Sequence, residues 1–214
     1  DTVASSVSRK LQDQVLALDE KMQGVDKDLY EKARQNARMQ VMWAFQNQLF
    51  GIANRHSEAT RQSWLKEWEK MMEFCRVNHP ASTFSPAFHE VVYNNAGITY
   101  YTKEEPVDED LKKNPNKLIF HYIEKNLTGQ AQESAMALLF LRDASEEKYD
   151  PEILPLEERF EQLYPQSKWQ PLIDEAIAKN KAFNQAKIPD YIHFPDVDNA
   201  KTFKDITDLY KGKV

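Results

Sequence analysis

The chain has 214 residues, 41% of them hydrophobic and 29% charged, a balance that suits a globular protein with a sizeable core. A net charge of −6, with Lys112, Lys113 and Lys117 set among Asp108, Glu109 and Asp110, argues against a nucleic-acid binder. The single cysteine, Cys75, excludes an intramolecular disulfide or a Cys-based zinc site, and no apolar run reaches the roughly 18 residues that span a bilayer.

Few glycines and plentiful Gln, Glu, Lys, Ala and Met favour helix over sheet. The opening Asp1-Thr2-Val3-Ala4 is neither an initiator nor a signal-peptide stretch, so a longer natural chain is expected before it. Ser5 and Ser6 can cap a first helix with Val7, Leu11, Val15, Leu18 and Met22 on one stripe, stopped by Gly24. Asp26 opens a second helix reaching about Ile52, with Ala33, Ala37, Val41, Ala44 and Gln48 on one side. Leu29, Trp43, Phe45, Leu49 and Phe50 make it apolar around much of its circumference, which predicts a place between other helices.

Ser57 begins a third helix carrying Trp64, Leu65, Trp68, Met71, Met72 and Cys75, ended by His79-Pro80. Ser85-Pro86 starts a short helix through Val91 and Val92 that Asn94-Asn95-Ala96-Gly97 closes. Ile98-Thr99-Tyr100-Tyr101 reads as a strand or extended connector, followed by an acidic turn at Glu104-Glu105-Pro106. Helical spacing returns at Asn114-Pro115 with Leu118, Ile119, Tyr122 and Ile123. Beyond Gly129, the residues Ala131, Ala135, Leu138, Leu139 and Leu141 predict a fully buried helix. Asp150-Pro151 and Leu154-Pro155 introduce a helix with Leu156, Phe160 and Leu163. Pro165 and Ser167 announce another, with Trp169, Leu172, Ile173, Ala176, Ile177 and Phe183. The expected fold is mainly α, an irregular array of about eight helices packed as antiparallel neighbours, without a fixed repeat period.

Residues 188–214 are a different kind of sequence. Ile188-Pro189-Asp190-Tyr191-Ile192-His193-Phe194-Pro195 alternates and its prolines exclude helix. Asp196-Val197-Asp198-Asn199-Ala200-Lys201 is turn chemistry, and Thr202-Phe203 starts a second extended piece. The expectation is a short β-hairpin. Two strands alone bury too little to be stable, so a further partner strand is expected.

The segments Pro189-Asp190-Tyr191, Pro195-Asp196-Val197-Asp198-Asn199-Ala200-Lys201 and Leu209-Tyr210-Lys211-Gly212-Lys213-Val214 resemble the start of the TlpA/ResA-like periplasmic thiol-disulfide oxidoreductases. Their thioredoxin-like domain opens with a Pro-Asp-aromatic segment, a Pro-Asp-x-Asp-Gly-Lys hairpin and a Leu-x-x-Gly-Lys-Val lead into the central strand. Here Asn199-Ala200 replaces the hairpin glycine, which makes the turn one residue longer. The resemblance extends loosely to residues 129–187, since exported members from Bacteroidetes often place a helical segment before the redox domain. It implies two units: a helical accessory domain over 1–187 and the truncated first segment of a thioredoxin-like domain over 188–214. It also implies a Trp-Cys-x-x-Cys motif shortly past Val214, and a location in the periplasm or cell envelope.

No residue of the chain is expected to be catalytic, to bind a cofactor or to ligate a metal. Cys75 shares a stripe with Trp68, Met71 and Met72, the usual setting of a buried small hydrophobe, and a redox couple needs a second thiol. His89-Glu90 opens like a zinc-protease motif but continues Val91-Val92-Tyr93, without the second histidine. His56, His79, His121 and His193 show no ligand spacing with it, and His121 beside an apolar stripe is expected to be partly buried and hydrogen-bonded. Asp196-x-Asp198 suggests a calcium loop, but Lys201 and Thr207 stand where its glycine and closing glutamate belong. Asn126-Leu127-Thr128 is a formal glycosylation sequon, without meaning in a bacterial protein. Trp43, Trp64, Trp68 and Trp169 could line a groove, although aromatics at helical spacing more often form core. A partner surface, if present, is expected on the concave side carrying the second and third helices.

The sequence therefore points to a non-catalytic accessory region of an envelope thiol-disulfide oxidoreductase, with a protein partner or a disulfide-containing protein substrate. The alternative is a stand-alone helical interaction or scaffold domain.

Overall fold

Helix α1 (Val3–Lys21) begins one turn earlier than Ser5 and Ser6 would place it. Thr2, in extended conformation, caps it by accepting the Ser5 amide on its hydroxyl. The computed structural model describes residues 2–53 and 56–186, so the hairpin expected at 188–214 lies outside the described residues. Gly24, at φ +83, ends the first segment as expected, because a side chain there would be strained.

Helix α2 (Lys27–Ala53) is capped by the Asp26 carboxylate, which accepts the amides of Asp28 and Leu29 at 3.0 and 3.1 Å. It packs against α1, α3 (Glu58–Cys75), α4 (Phe88–Gly97) and the 3₁₀ turn Pro80–Phe84, the sandwiched position its pattern predicts. Met39, Met42, Phe45 and Leu49 are fully buried on it. Of the residues that make up this apolar surface, Leu29 and Trp43 lie at its rim, 58% and 39% exposed.

Helix α3 stops at Cys75, ahead of His79-Pro80, because Arg76 takes a left-handed conformation with φ 51 and its amide returns to the Met72 carbonyl. His79 then starts the 3₁₀ turn by accepting the Ala81 amide on Nδ1. The strand or extended connector expected at Ile98–Tyr101 is instead a π-helical turn, Ile98–Thr102, continuing directly from α4. Its closing bond runs from the Lys103 amide to the Ile98 carbonyl at 2.7 Å. Burial decides the form: Ile98 and Tyr100 are 0% and 2% exposed, and continued winding keeps both in the core.

A one-turn helix α5 (Glu109–Lys112) precedes α6 (Pro115–Asn126), which Asn114 caps. Then come α7 (Gly129–Ser145), α8 (Leu154–Leu163) and α9 (Gln170–Gln185). The described residues thus hold nine α-helices and no strand. Helix α7 touches α4, α6, α8 and α9, yet it is not buried all round: Leu138 and Leu141 stay half-buried on one side. One continuous buried cluster runs from Ala4 to Ile177. Among the described residues, no helix is long and apolar enough to cross a membrane.

Candidate functional site

A cleft of ≈ 580 Å³ opens between residues 83–90, α7 and Trp169. Its near wall is set by Ser85, whose hydroxyl donates to Asn36 Oδ1 at 2.7 Å and accepts the Ala87 amide at 3.3 Å. That pins Pro86 and aims the first turn of α4, with His89 and Glu90, at α7. Leu138 and Leu141 give α7 its apolar share of the lining, and Phe84, 56% exposed, stands at the rim.

Arg142 is the charged centre. It donates from Nε to Glu146 at 2.6 Å and from a terminal nitrogen to Glu90 at 3.2 Å, with its guanidinium 4.4 Å from the Tyr93 ring centre. Two carboxylates on one guanidinium leave little free positive charge for an anionic ligand. The His89 ring lies 4.3 Å from Tyr93. Burial, helped by the Arg142 charge, pushes its pKa down to about 4, so the imidazole is neutral at pH 7. Burial also raises the Tyr93 hydroxyl well above its usual range. His89 Nε2 and Trp169 Nε1 are buried and have no hydrogen-bond partner among the described residues, although both residues line the same cleft.

Ser85 donates to Asn36 and Ser145 to the Arg142 carbonyl, so neither hydroxyl is activated by His89. What the cleft offers is an apolar floor, a neutral imidazole and an indole N–H.

The residues singled out by sequence fall in several places. Cys75 is 0% exposed, as its stripe implies, and burial pushes its thiol up to about 12. Trp64 and Trp68 are core, at 3% and 5% exposed; Trp64 packs 5.1 Å from Phe45, and the Trp68 indole donates to Asn95 at 3.1 Å. Trp64 nevertheless also borders a smaller cleft of ≈ 260 Å³ between the start of α1 and α3, and Trp43 sits at the rim of α2. Trp169 alone of the four lines the large cleft. His89 and Glu90 also line it, a role that motif reading does not supply. His79 stands 3.6 Å from the Glu31 carboxylate, and His121 is half-buried, as expected, 6.0 Å from Tyr100. Asn126 donates to the Tyr122 carbonyl at the end of α6. Lys112, Lys113 and Lys117 pair with Glu109, Asp110 and Glu152, so these three form no free basic cluster. His193, Asp196 and Asp198 lie outside the described residues.

The meeting of Arg142 with α4 is the contact that sequence reasoning misses. Its one local signal is Glu146, one turn further along α7.

Compared with family models, with curated proteins and with solved structures, the chain finds no match in any of them.

Proposed function

We propose that this helical array is the non-catalytic accessory region of an envelope thiol-disulfide oxidoreductase, where it positions a protein partner or a disulfide-containing substrate. The sequence of residues 188–214 carries the reading, through its likeness to the opening of a thioredoxin-like domain. The helical part supports it in two ways. Its single thiol is sealed in the core, and a thiolate that forms only near pH 12 is no nucleophile at physiological pH. Its cleft of ≈ 580 Å³, lined by Leu138, Leu141, His89 and Trp169 among others, offers a partly apolar surface on which a partner segment would dock.

In the complete protein a Cys-x-x-Cys pair would do the chemistry, its first thiolate attacking a disulfide sulfur and the second resolving the mixed disulfide. The helical array would bring the substrate disulfide to that pair.

The test is the coding sequence after Val214. A Trp-Cys-x-x-Cys motif within the next few turns of sequence is the expected result. A stop codon there would overturn the reading in favour of a stand-alone helical interaction domain. Given the motif, deleting the helical array from the complete protein is expected to spare reduction of a small disulfide and to impair that of its protein substrate.

A further inference from the structure

The cleft between residues 83–90 and α7 does not end at its own walls. Phe84 also edges a depression of ≈ 330 Å³ against the start of α2, where Asp28, Glu31 and Lys32 meet His79. On the other side, Leu141 and Ser145 edge a further depression of ≈ 190 Å³ against α9, lined by Leu172, Glu175 and Lys179. Shared walls join the three into one trough that runs from α2 past α7 to α9. A long open trough suits a stretch of polypeptide better than a compact small molecule.

Two features define the occupant. The first is hydrogen bonding in the middle. Trp169 Nε1 is buried there without a partner among the described residues, and an indole N–H can only donate. The occupant must therefore bring an acceptor, which every carbonyl of an extended peptide supplies. Leu138, Leu141 and the exposed Phe84 ring give apolar side chains their seat.

The second feature is charge. Five carboxylates line the trough against three lysines and arginines. Arg142 holds Glu90 and Glu146, Lys32 holds Asp28, and Lys179 holds Glu175. Glu31 is left over. Among the described residues it pairs with no lysine or arginine, and it faces the His79 imidazole at 3.6 Å.

We propose that the trough binds an extended segment of a partner protein, apolar in its middle and carrying a lysine or arginine at the end that reaches Glu31. This rests on the reading that the array holds a protein partner, and on no part of the thioredoxin-like resemblance. A peptide carbonyl accepts from Trp169 Nε1, apolar side chains lie over Leu138 and Leu141, and the basic end pairs with Glu31. An acidic segment would meet the same excess of carboxylates and be repelled.

An array of capped decapeptides tests this, each with a middle of Leu, Pro and Phe and with Lys, Ala or Glu at one end. The labelled 214-residue chain is expected to be retained most by the Lys-ended peptides, less by the Ala-ended and least by the Glu-ended ones. In fluorescence polarisation, Glu31→Gln is expected to weaken the tightest Lys-ended peptide about threefold and to leave its Ala-ended counterpart unchanged. Trp169→Phe is expected to weaken both about tenfold, by removing the donor. Thermal unfolding checks that each variant folds, and Phe84→Ala, at the exposed rim, replaces Trp169→Phe if that variant unfolds, with an expected loss of about fivefold. No retention of any peptide, no preference for Lys-ended over Glu-ended peptides, or affinities unchanged in Glu31→Gln and Trp169→Phe would each overturn the assignment. Binding alongside a stop codon after Val214 would leave this site standing and remove the oxidoreductase reading; failed retention alongside the downstream cysteines would do the reverse.

Discussion

The two ends of the molecule solve one mechanical problem with different chemistry. In the amino-terminal part, amides fasten the helices. Gln35 donates to the Cys75 carbonyl at 2.6 Å, the Arg76 carbonyl at 3.1 Å and the Ser82 hydroxyl at 2.9 Å, clamping α2 to the end of α3. Gln46 donates to the Val91 carbonyl and to Asn95 Oδ1, and Trp68 donates to that same oxygen, so α2, α3 and α4 meet at one amide. In the carboxy-terminal part, carboxylates do the work. Asp143, 3% exposed, accepts the Asp150 amide and the side chains of Asn116 and Asn180, and Asp150 accepts Asn114 and Asn116.

An amide clasp has one protonation state across the accessible pH range; a carboxylate clasp does not. Burial works against ionisation of both aspartates. At Asp143 it wins and the pKa is raised, while at Asp150 the bonds from Asn114 and Asn116 overcome it and the pKa is held down. The depressed group stabilises the fold above its unfolded pKa, and loses that contribution as pH falls. The raised group penalises the fold in the same range. The two oppose each other, so the clasp by itself gives a muted acid response. His89, on α4 and facing α7 where the two parts meet, is the sharper acid-sensitive group.

The comparison can be broken most severely at Phe140. Its ring is 1% exposed and makes edge contacts with Phe120 at 6.5 Å and Phe160 at 5.8 Å, joining α6, α7 and α8. Phe140→Ala is expected to cost about 3 to 5 kcal/mol in urea unfolding. A cost under about 1 kcal/mol would mean that polar clasps, rather than packing, hold the carboxy-terminal part.

The next effect is acid sensitivity at the junction. The His89 pKa falls from the usual 6.5 to about 4 in the fold, so the unfolded chain binds more protons between those values. Stability is fully present above about pH 6.5, and declines by roughly 3 kcal/mol as pH falls to about 4. His89→Phe is expected to flatten that part of the curve; an unchanged slope would place the acid response elsewhere.

Asn95→Ala should cost somewhat less, about 1 to 3 kcal/mol, by leaving the buried Trp68 indole without its acceptor. Equal costs at mildly acidic and mildly basic pH are the signature of an amide clasp. The smallest effect is expected at Arg159, which pairs with Glu124 between α6 and α8 at 2.6 Å but is half exposed. Arg159→Ala is expected to cost no more than about 1 kcal/mol, and less at high salt.

Most of the helical scaffold is legible in the sequence because its stops and starts are local. Asp26, Ser57 and Asn114 cap where their side chains can reach the next amides, and Gly24 supplies a left-handed turn. The misreadings come from contacts that are not local. Arg76 ends α3 in a conformation that its type does not announce. Tyr100 and its β-branched neighbours read as a strand until the core surrounding them is known, because periodicity cannot weigh burial on both sides of a short run. The cleft is legible only in fragments. Ser85-Pro86 and His89-Glu90 stand out in sequence, but Arg142 lies 52 residues from its partner Glu90, and its one local signal, Glu146, does not point to α4. Trp169 reads as one more core aromatic, since its spacing fits the stripe of α9 and its place at the mouth of a cleft depends on α7.

Reduction of insulin disulfides by the 214-residue chain tests the central claim most directly. A non-catalytic region with one sealed thiol is expected to leave the rate at its dithiothreitol background, in the native chain and in Cys75→Ser alike. Turnover above background that Cys75→Ser abolishes would contradict the account.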